Sequence, residues 1–218
     1  MNQIPKEKFN DFGTLTKWKD VIFHTKEING KVRGGFFLCV PNFEEDNSIF
    51  EIKHGEYRKT PPSYIENEKV LEGKWGKINV ETFWEEDDNS LSVKVKIVSL
   101  RNNTYIRPGF HPYFFVGNEF QINVKNKDLN KNKLPDDKLI ILNDNTNEAE
   151  LITNNKNIKI KVSIYNKDIS FGVWSDNKNN YVCIEPIIGE GLDSNNLPKA
   201  FVLREDESLE FSLTVNYL

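Results

Sequence analysis

The chain has 218 residues, of which 38% are hydrophobic and 12% aromatic. That is enough to pack one domain spanning residues 1–218. The net charge of −4 excludes a general electrostatic pull toward nucleic acid or an anionic membrane surface. No apolar run approaches the ~18 residues of a spanning helix, and the opening MNQIPKEKFN lacks the apolar segment and small-residue cleavage site of a secretion signal. The expected compartment is the cytoplasm.

The first informative stretch is KVRGGFFLCVP, where Arg33 precedes a glycine pair and Cys39 sits among apolar residues. Glycines there let the backbone approach a ligand or another strand closely. Next comes KHGEYRKTPPSY, in which His54 and Arg58 lie in a loop closed by Pro61 and Pro62. Arginine is a multidentate donor for hydroxyls or phosphate, so the stretch suits a binding loop. On composition alone it reads equally well as a solvated basic loop.

Strand signals follow. KINVETFW reads as a strand. SLSVKVKIVSL puts Leu91, Val93, Val95 and Ile97 on one face with Lys94 and Lys96 on the other, the period-2 pattern of a half-buried antiparallel strand. The same alternation recurs at Ile158, Ile160, Val162 and Ile164, and at Leu209, Phe211, Leu213, Val215 and Tyr217. KLIIL, DISFGVWS, YVCIEP and KAFVL add further strands, separated by turns rich in Asn, Asp and Gly. NKDLNKNKLPDD reads as a loop between strands. No amphipathic helix longer than about two turns is evident. The expectation is an all-β fold with many strands stacked as a sandwich.

Two ionisable residues stand out within apolar runs. His111 in IRPGFHPYFF and Glu185 in YVCIEPIIG each precede a proline, which biases the residue before it toward extended backbone. Taken singly, each reads as a satisfied structural residue. Taken together, a histidine and a carboxylate facing one cleft would make a general acid–base pair, because a buried charge needs a partner. The two cysteines, Cys39 and Cys183, both lie in apolar strand-like runs and read as buried reduced thiols. Phosphate-binding glycine loops are absent, and so are CxxC and HExxH spacings. No metal site and no cofactor are expected.

These segments together resemble the aldose 1-epimerase (galactose mutarotase-like) superfamily, including its hexose-6-phosphate 1-epimerase-like branches. KVRGGFFLCVPNF is similar to the family's RGG segment, HGEYR to its HGFAR loop, PGFHPYF to its HPYF segment, and GVWSDNKNNYVCIEPIIG to its W…CVEP segment. The resemblance implies a galactose mutarotase-like β-supersandwich, N-terminally shortened, acting on a small sugar, a hexose or hexose phosphate. It implies His111 as general acid and Glu185 as general base. His54, Arg58 and Arg33 become contacts to hydroxyls or phosphate, and Tyr113 and Trp174 become aromatic contacts. The chain departs from the family at Glu56, Tyr57 and Phe37. Glu56 disfavours a phosphorylated substrate. Asp144 and Asp176 are the available candidates for the family's substrate-binding aspartate. The alternatives are a non-catalytic carbohydrate-binding or regulatory protein on the same fold, and a glycoside hydrolase. A hydrolase normally needs a second carboxylate in a setting comparable to that of Glu185.

Overall fold

The computed structural model describes residues 1–28, 30–43, 55, 62–65, 70–143, 146–176 and 179–218. Its strands in chain order are β1 (Asn2–Gln3), β2 (Lys26–Ile28), β3 (Lys31–Arg33), β4 (Phe36–Cys39), β5 (Ser63–Ile65), β6 (Val70–Trp75) and β7 (Ile78–Glu86). They continue with β8 (Ser90–Ser99), β9 (Thr104–Ile106), β10 (Gly109–Phe115), β11 (Phe120–Val124), β12 (Lys127–Asn130) and β13 (Ile140–Leu142). The remainder are β14 (Glu148–Thr153), β15 (Lys156–Ile164), β16 (Asp168–Trp174), β17 (Tyr181–Gly189), β18 (Phe201–Leu203) and β19 (Ser208–Tyr217). Helix among the described residues is confined to two 3-10 turns, Lys6–Lys8 and Lys131–Lys133.

A ten-stranded antiparallel sheet runs in the order β12-β11-β14-β15-β19-β8-β7-β6-β5, with β1 paired to β7. A five-stranded antiparallel sheet runs β13-β16-β17-β10-β4. The pairs β2–β3 and β9–β18 flank them. The alternating strands read from sequence are the centre of the large sheet: β8 pairs β19 with Val95 opposite Phe211, and β19 pairs β15 with Val215 opposite Ile160. Their apolar faces pack on the inner face of the small sheet. One core cluster contains Val93, Ile97, Ile160, Phe211 and Leu213 from the first, and Phe36, Leu38, Phe110, Phe171 and Ile184 from the second. The sandwich follows from pleating, which sends successive side chains to opposite faces.

The stretch NKDLNKNKLPDD is not a plain loop. It contains β12 and the second 3-10 turn, capped by Asn130, whose side chain accepts from the Lys133 N–H. β12 is the edge strand, largely exposed, with Leu129 as its contribution to the core. A polar edge strand buries too little to show alternation, and its lysines suit an edge that must not recruit another chain.

The small sheet has two covered faces. On β10, Phe110 and Phe114 point into the main core, while His111 and Tyr113 point the other way. On β17 the parities are the same: Val182, Ile184 and Ile188 face the core, and Tyr181, Cys183 and Ile187 join a second cluster with Phe23, Phe37, Cys39, Phe43 and Tyr113. Every residue of β17 is therefore buried. A strand covered on both faces reads as one continuous apolar run.

Candidate acid–base site

The second cluster holds the candidate chemistry, and strand register assembles it. β10 and β17 are antiparallel, with Gly109 opposite Ile187 and Tyr113 opposite Cys183. The same register puts His111 opposite Glu185. β4 places Phe37 on the other side of His111, and β16 places Gly172 on the other side of Glu185. One row across four strands thus reads Phe37, His111, Glu185, Gly172. Pro112 and Pro186 fall in the stretch of the β10–β17 ladder that lacks paired residues between these two registers. Proline has no N–H to donate, so both interruptions coincide at the site.

His111 Nε2 lies 3.0 Å from Glu185 Oε1. The residues are 5% and 2% exposed, so the contact lies in a low-dielectric setting. The imidazole is held by rings on both sides: Phe37 at 4.7 Å and 22°, and Tyr113 at 4.8 Å and 18° between centroids and planes. Phe43 adds a third near-parallel ring at 6.2 Å. Gly172 leaves space for the carboxylate, since a Cβ there would stand 3.3 Å from Glu185 Oε2 and 3.0 Å from Leu139 Cδ1.

A second row lies beside the first. Tyr113, Cys183 and Trp174 are in register across β10, β17 and β16. The Cys183 thiol is fully buried, is not in a disulfide, and hydrogen bonds to Glu185. Burial first, and then the Glu185 charge, push its pKa well above the usual thiol range. Trp174 meets Tyr113 edge-on at 6.5 Å and stacks on Tyr181 at 6.0 Å. The Tyr181 hydroxyl donates to Asp176 Oδ2 at 2.6 Å, and Asn179 Nδ2 donates to the same oxygen at 2.8 Å. Burial raises the pKa of both phenols, helped at Tyr113 by the Cys183 thiol and at Tyr181 by the bond to Asp176. Asp176 is thus committed to fixing Tyr181 at the rim of the cluster.

Arg33 comes from β3 and sits half-buried over this row. Its guanidinium lies 4.9 Å from the centre of the Trp174 ring and hydrogen bonds to the Tyr113 hydroxyl. The glycine pair after it is required by geometry. Gly34 and Gly35 have φ of +94° and +80°, and a Cβ on Gly34 would be 2.6 Å from the His24 carbonyl oxygen. Only glycine makes this close turn, which carries the chain from β3, with Arg33 over the site, into β4, with Phe37 against His111.

His111, Glu185, Tyr113 and Trp174 are therefore gathered on one face of the small sheet, with Arg33 laid over them from β3. His54, Arg58 and Asp144 lie outside the described residues. Sequence reading did not single out Gly172, nor Arg107, a cation only 5% exposed whose backbone bonds to Pro41 and Phe43 just before β10. The signal for Arg107 was available: a charge inside the apolar run IRPGF has to be buried with a partner.

The fold has counterparts among solved structures. A galactose mutarotase-like protein from Lactobacillus casei matches with a TM-score of 0.69 at 15% identity, covering 85% of each chain. A candidate aldose 1-epimerase from Escherichia coli K12 matches with a TM-score of 0.69 at 13% identity, covering 95% of this chain and 93% of that one. The Slr1438 protein from Synechocystis sp. PCC 6803 matches with a TM-score of 0.61 at 15% identity, covering 86% of this chain and 79% of that one. No family model matches the sequence, and no curated protein matches it. The likeness establishes the galactose mutarotase-like fold.

Proposed function

We propose that this chain, a galactose mutarotase-like β-sandwich, is an aldose 1-epimerase that interconverts the α and β anomers of a hexose. The observation that carries the reading is the His111–Glu185 pair, 3.0 Å apart and buried on a face rimmed by Arg33 and Trp174. The pair joins a proton donor to a proton acceptor, which is what opening a hemiacetal demands. The fold neighbours add weight, since two of them bear epimerase or mutarotase names.

In this mechanism a pyranose inserts between the two side chains and replaces their contact with each other. Glu185 takes the proton of the anomeric hydroxyl while protonated His111 gives one to the ring oxygen. The C1–O5 bond breaks to leave the open-chain aldehyde. Rotation about C1–C2 presents the other face of the carbonyl, and reclosure with the two roles reversed inverts the anomeric centre. No redox change or group transfer occurs. Each positioned proton transfer is worth roughly 10²–10⁴ in rate, or about 3–5 kcal/mol. That is sufficient for a reaction water already performs slowly.

Arg33 supplies the directional donor for a hydroxyl or a phosphoryl oxygen at the rim. Tyr113, 1% exposed, supports the site from within by stacking on His111 and accepting from Arg33. The non-catalytic sugar-binding reading needs an open aromatic platform. Here the Trp174 ring already carries the Arg33 guanidinium, which favours the enzyme.

The test is polarimetry or NMR of freshly dissolved α-glucose, α-galactose and glucose 6-phosphate with catalytic amounts of protein. Accelerated equilibration of the neutral sugars beyond that of the phosphate is expected. Uncatalysed rates for all three would reject the reading.

A further inference from the structure

We propose that His111, Cys183 and Glu185 form a three-ligand site for a borderline-soft divalent cation of the Zn²⁺ type, and that its occupation silences the acid–base pair. The inhibitory half rests on the epimerase reading, whereas the binding half does not.

The three donors come from two neighbouring strands. Cys183 lies two residues before Glu185 on β17 and so shares its face, and β10 brings His111 across from them. One ligand atom from each, an imidazole nitrogen, a thiol sulfur and a carboxylate oxygen, lie within 4.8 Å of one another, and all three residues are buried. These are the ligand types zinc selects, at about 2.3 Å for sulfur and about 2.0–2.2 Å for nitrogen and oxygen. Tetrahedral bonds of those lengths space the donors roughly 3.3–3.8 Å apart. The 3.0 Å contact between His111 and Glu185 is close to that spacing, and the donors all lie within 4.8 Å, so side-chain rotation has to close the rest of the triangle. Zinc held by three protein ligands takes water as its fourth.

The charge balance is favourable for so buried a place. A thiolate and a carboxylate together carry the two negative charges that offset a divalent cation. With a neutral imidazole as third ligand, bound Zn²⁺ leaves the set neutral, so no uncompensated charge is placed in the low-dielectric cluster. Burial and the Glu185 charge resist ionisation of the thiol and the Arg33 guanidinium eases it, so the bound ion itself must stabilise the thiolate. Ring opening makes no use of Cys183, whereas metal binding does. The bound ion would hold the atoms that donate and accept the sugar's protons.

Chelator-treated protein titrated with Co²⁺ alone provides the binding test. One equivalent should bring in a thiolate-to-cobalt charge-transfer band in the near ultraviolet, and Zn²⁺ should displace it. The band should vanish in Cys183→Ala and persist in Cys39→Ala. Cys183→Ser serves the same purpose if the alanine variant does not fold by circular dichroism. A wild-type protein without the band, or a Cys183 variant that keeps it, overturns the proposal. In the activity arm, saturating Zn²⁺ should slow wild-type epimerisation at least tenfold, reversed by chelator, and should slow Cys183→Ser by less than twofold. A cobalt band in a protein with no epimerase activity would support the metal site and reject the epimerase reading. Activity indifferent to zinc, with no band, would do the reverse.

Discussion

Gly172 stands directly opposite Glu185 across β16 and β17, and the absent side chain is what leaves the carboxylate its place. A methyl group there would press on Leu139 Cδ1 at 3.0 Å and on Glu185 Oε2 at 3.3 Å. Gly172→Ala should therefore fold and melt as a sandwich yet lose about tenfold in kcat/KM, roughly 1.4 kcal/mol of transition-state stabilisation. Steady-state kinetics beside a denaturant titration separate the two effects. Unchanged kinetics would mean that the carboxylate position is not critical.

Gly109→Ala should behave in the opposite way. Its Cβ would meet the Pro186 carbonyl oxygen at 2.7 Å and Phe43 Cδ2 at 2.8 Å. Backbone cannot yield cheaply, so the variant should lose about 1–3 kcal/mol of stability by overpacking. A shifted urea midpoint at constant slope is the expected readout.

His111→Asn and Glu185→Gln should each cost about 10²–10⁴ in kcat/KM while leaving the circular dichroism intact. In the proposed mechanism the two groups act on one reacting centre, so the double variant should be little worse than the poorer single one. Additive losses would place the residues in independent roles.

Arg33→Met should raise KM for the sugar about fivefold to tenfold with kcat within about threefold, because the guanidinium sits at the rim and not at the pair. Arg33→Lys should fail to restore it. A lysine cannot both lie flat on Trp174 and donate in plane to the Tyr113 hydroxyl. Rescue by lysine would show that charge alone is used.

The buried phenols set an alkaline limit. Burial raises the pKa of Tyr113 and Tyr181 above the ordinary phenol value of 10.0, and the bond from Tyr181 to Asp176 adds to it. The folded state therefore holds these protons more tightly than the unfolded chain does. That stability is complete below about pH 10 and drains away as the pH rises further. Denaturation midpoints followed from about pH 8 to about pH 12 should fall above 10. Tyr181→Phe should flatten the fall while costing about 1–3 kcal/mol at neutral pH, where it leaves Asp176 short of a donor.

Much of the large sheet was legible in the sequence because its central strands are wet on one side. β8, β15 and β19 alternate because one face is dry. β12 was hidden because an exposed edge strand of Lys, Asp and Asn carries no such contrast. The site was half legible. His111 and Glu185 announce themselves as ionisable groups stranded in apolar runs before prolines. That they face each other is a matter of register between strands some seventy residues apart, which no local pattern encodes. Gly172 was invisible for the same reason, since its significance is a partner across the sheet. The meeting of Cys183 with His111 is likewise a product of pairing, outside any short metal-binding spacing.

β17 is the middle strand of its sheet, with neighbours on both edges and cover on both faces. Its amides have no local route to solvent, so the Glu185 N–H should be among the last to take up deuterium. Fraying at the rim would leave His111 and Glu185 at their resting separation. Heat should then abolish turnover only in step with collapse of the whole sandwich, without an earlier phase in which a folded protein has already gone silent.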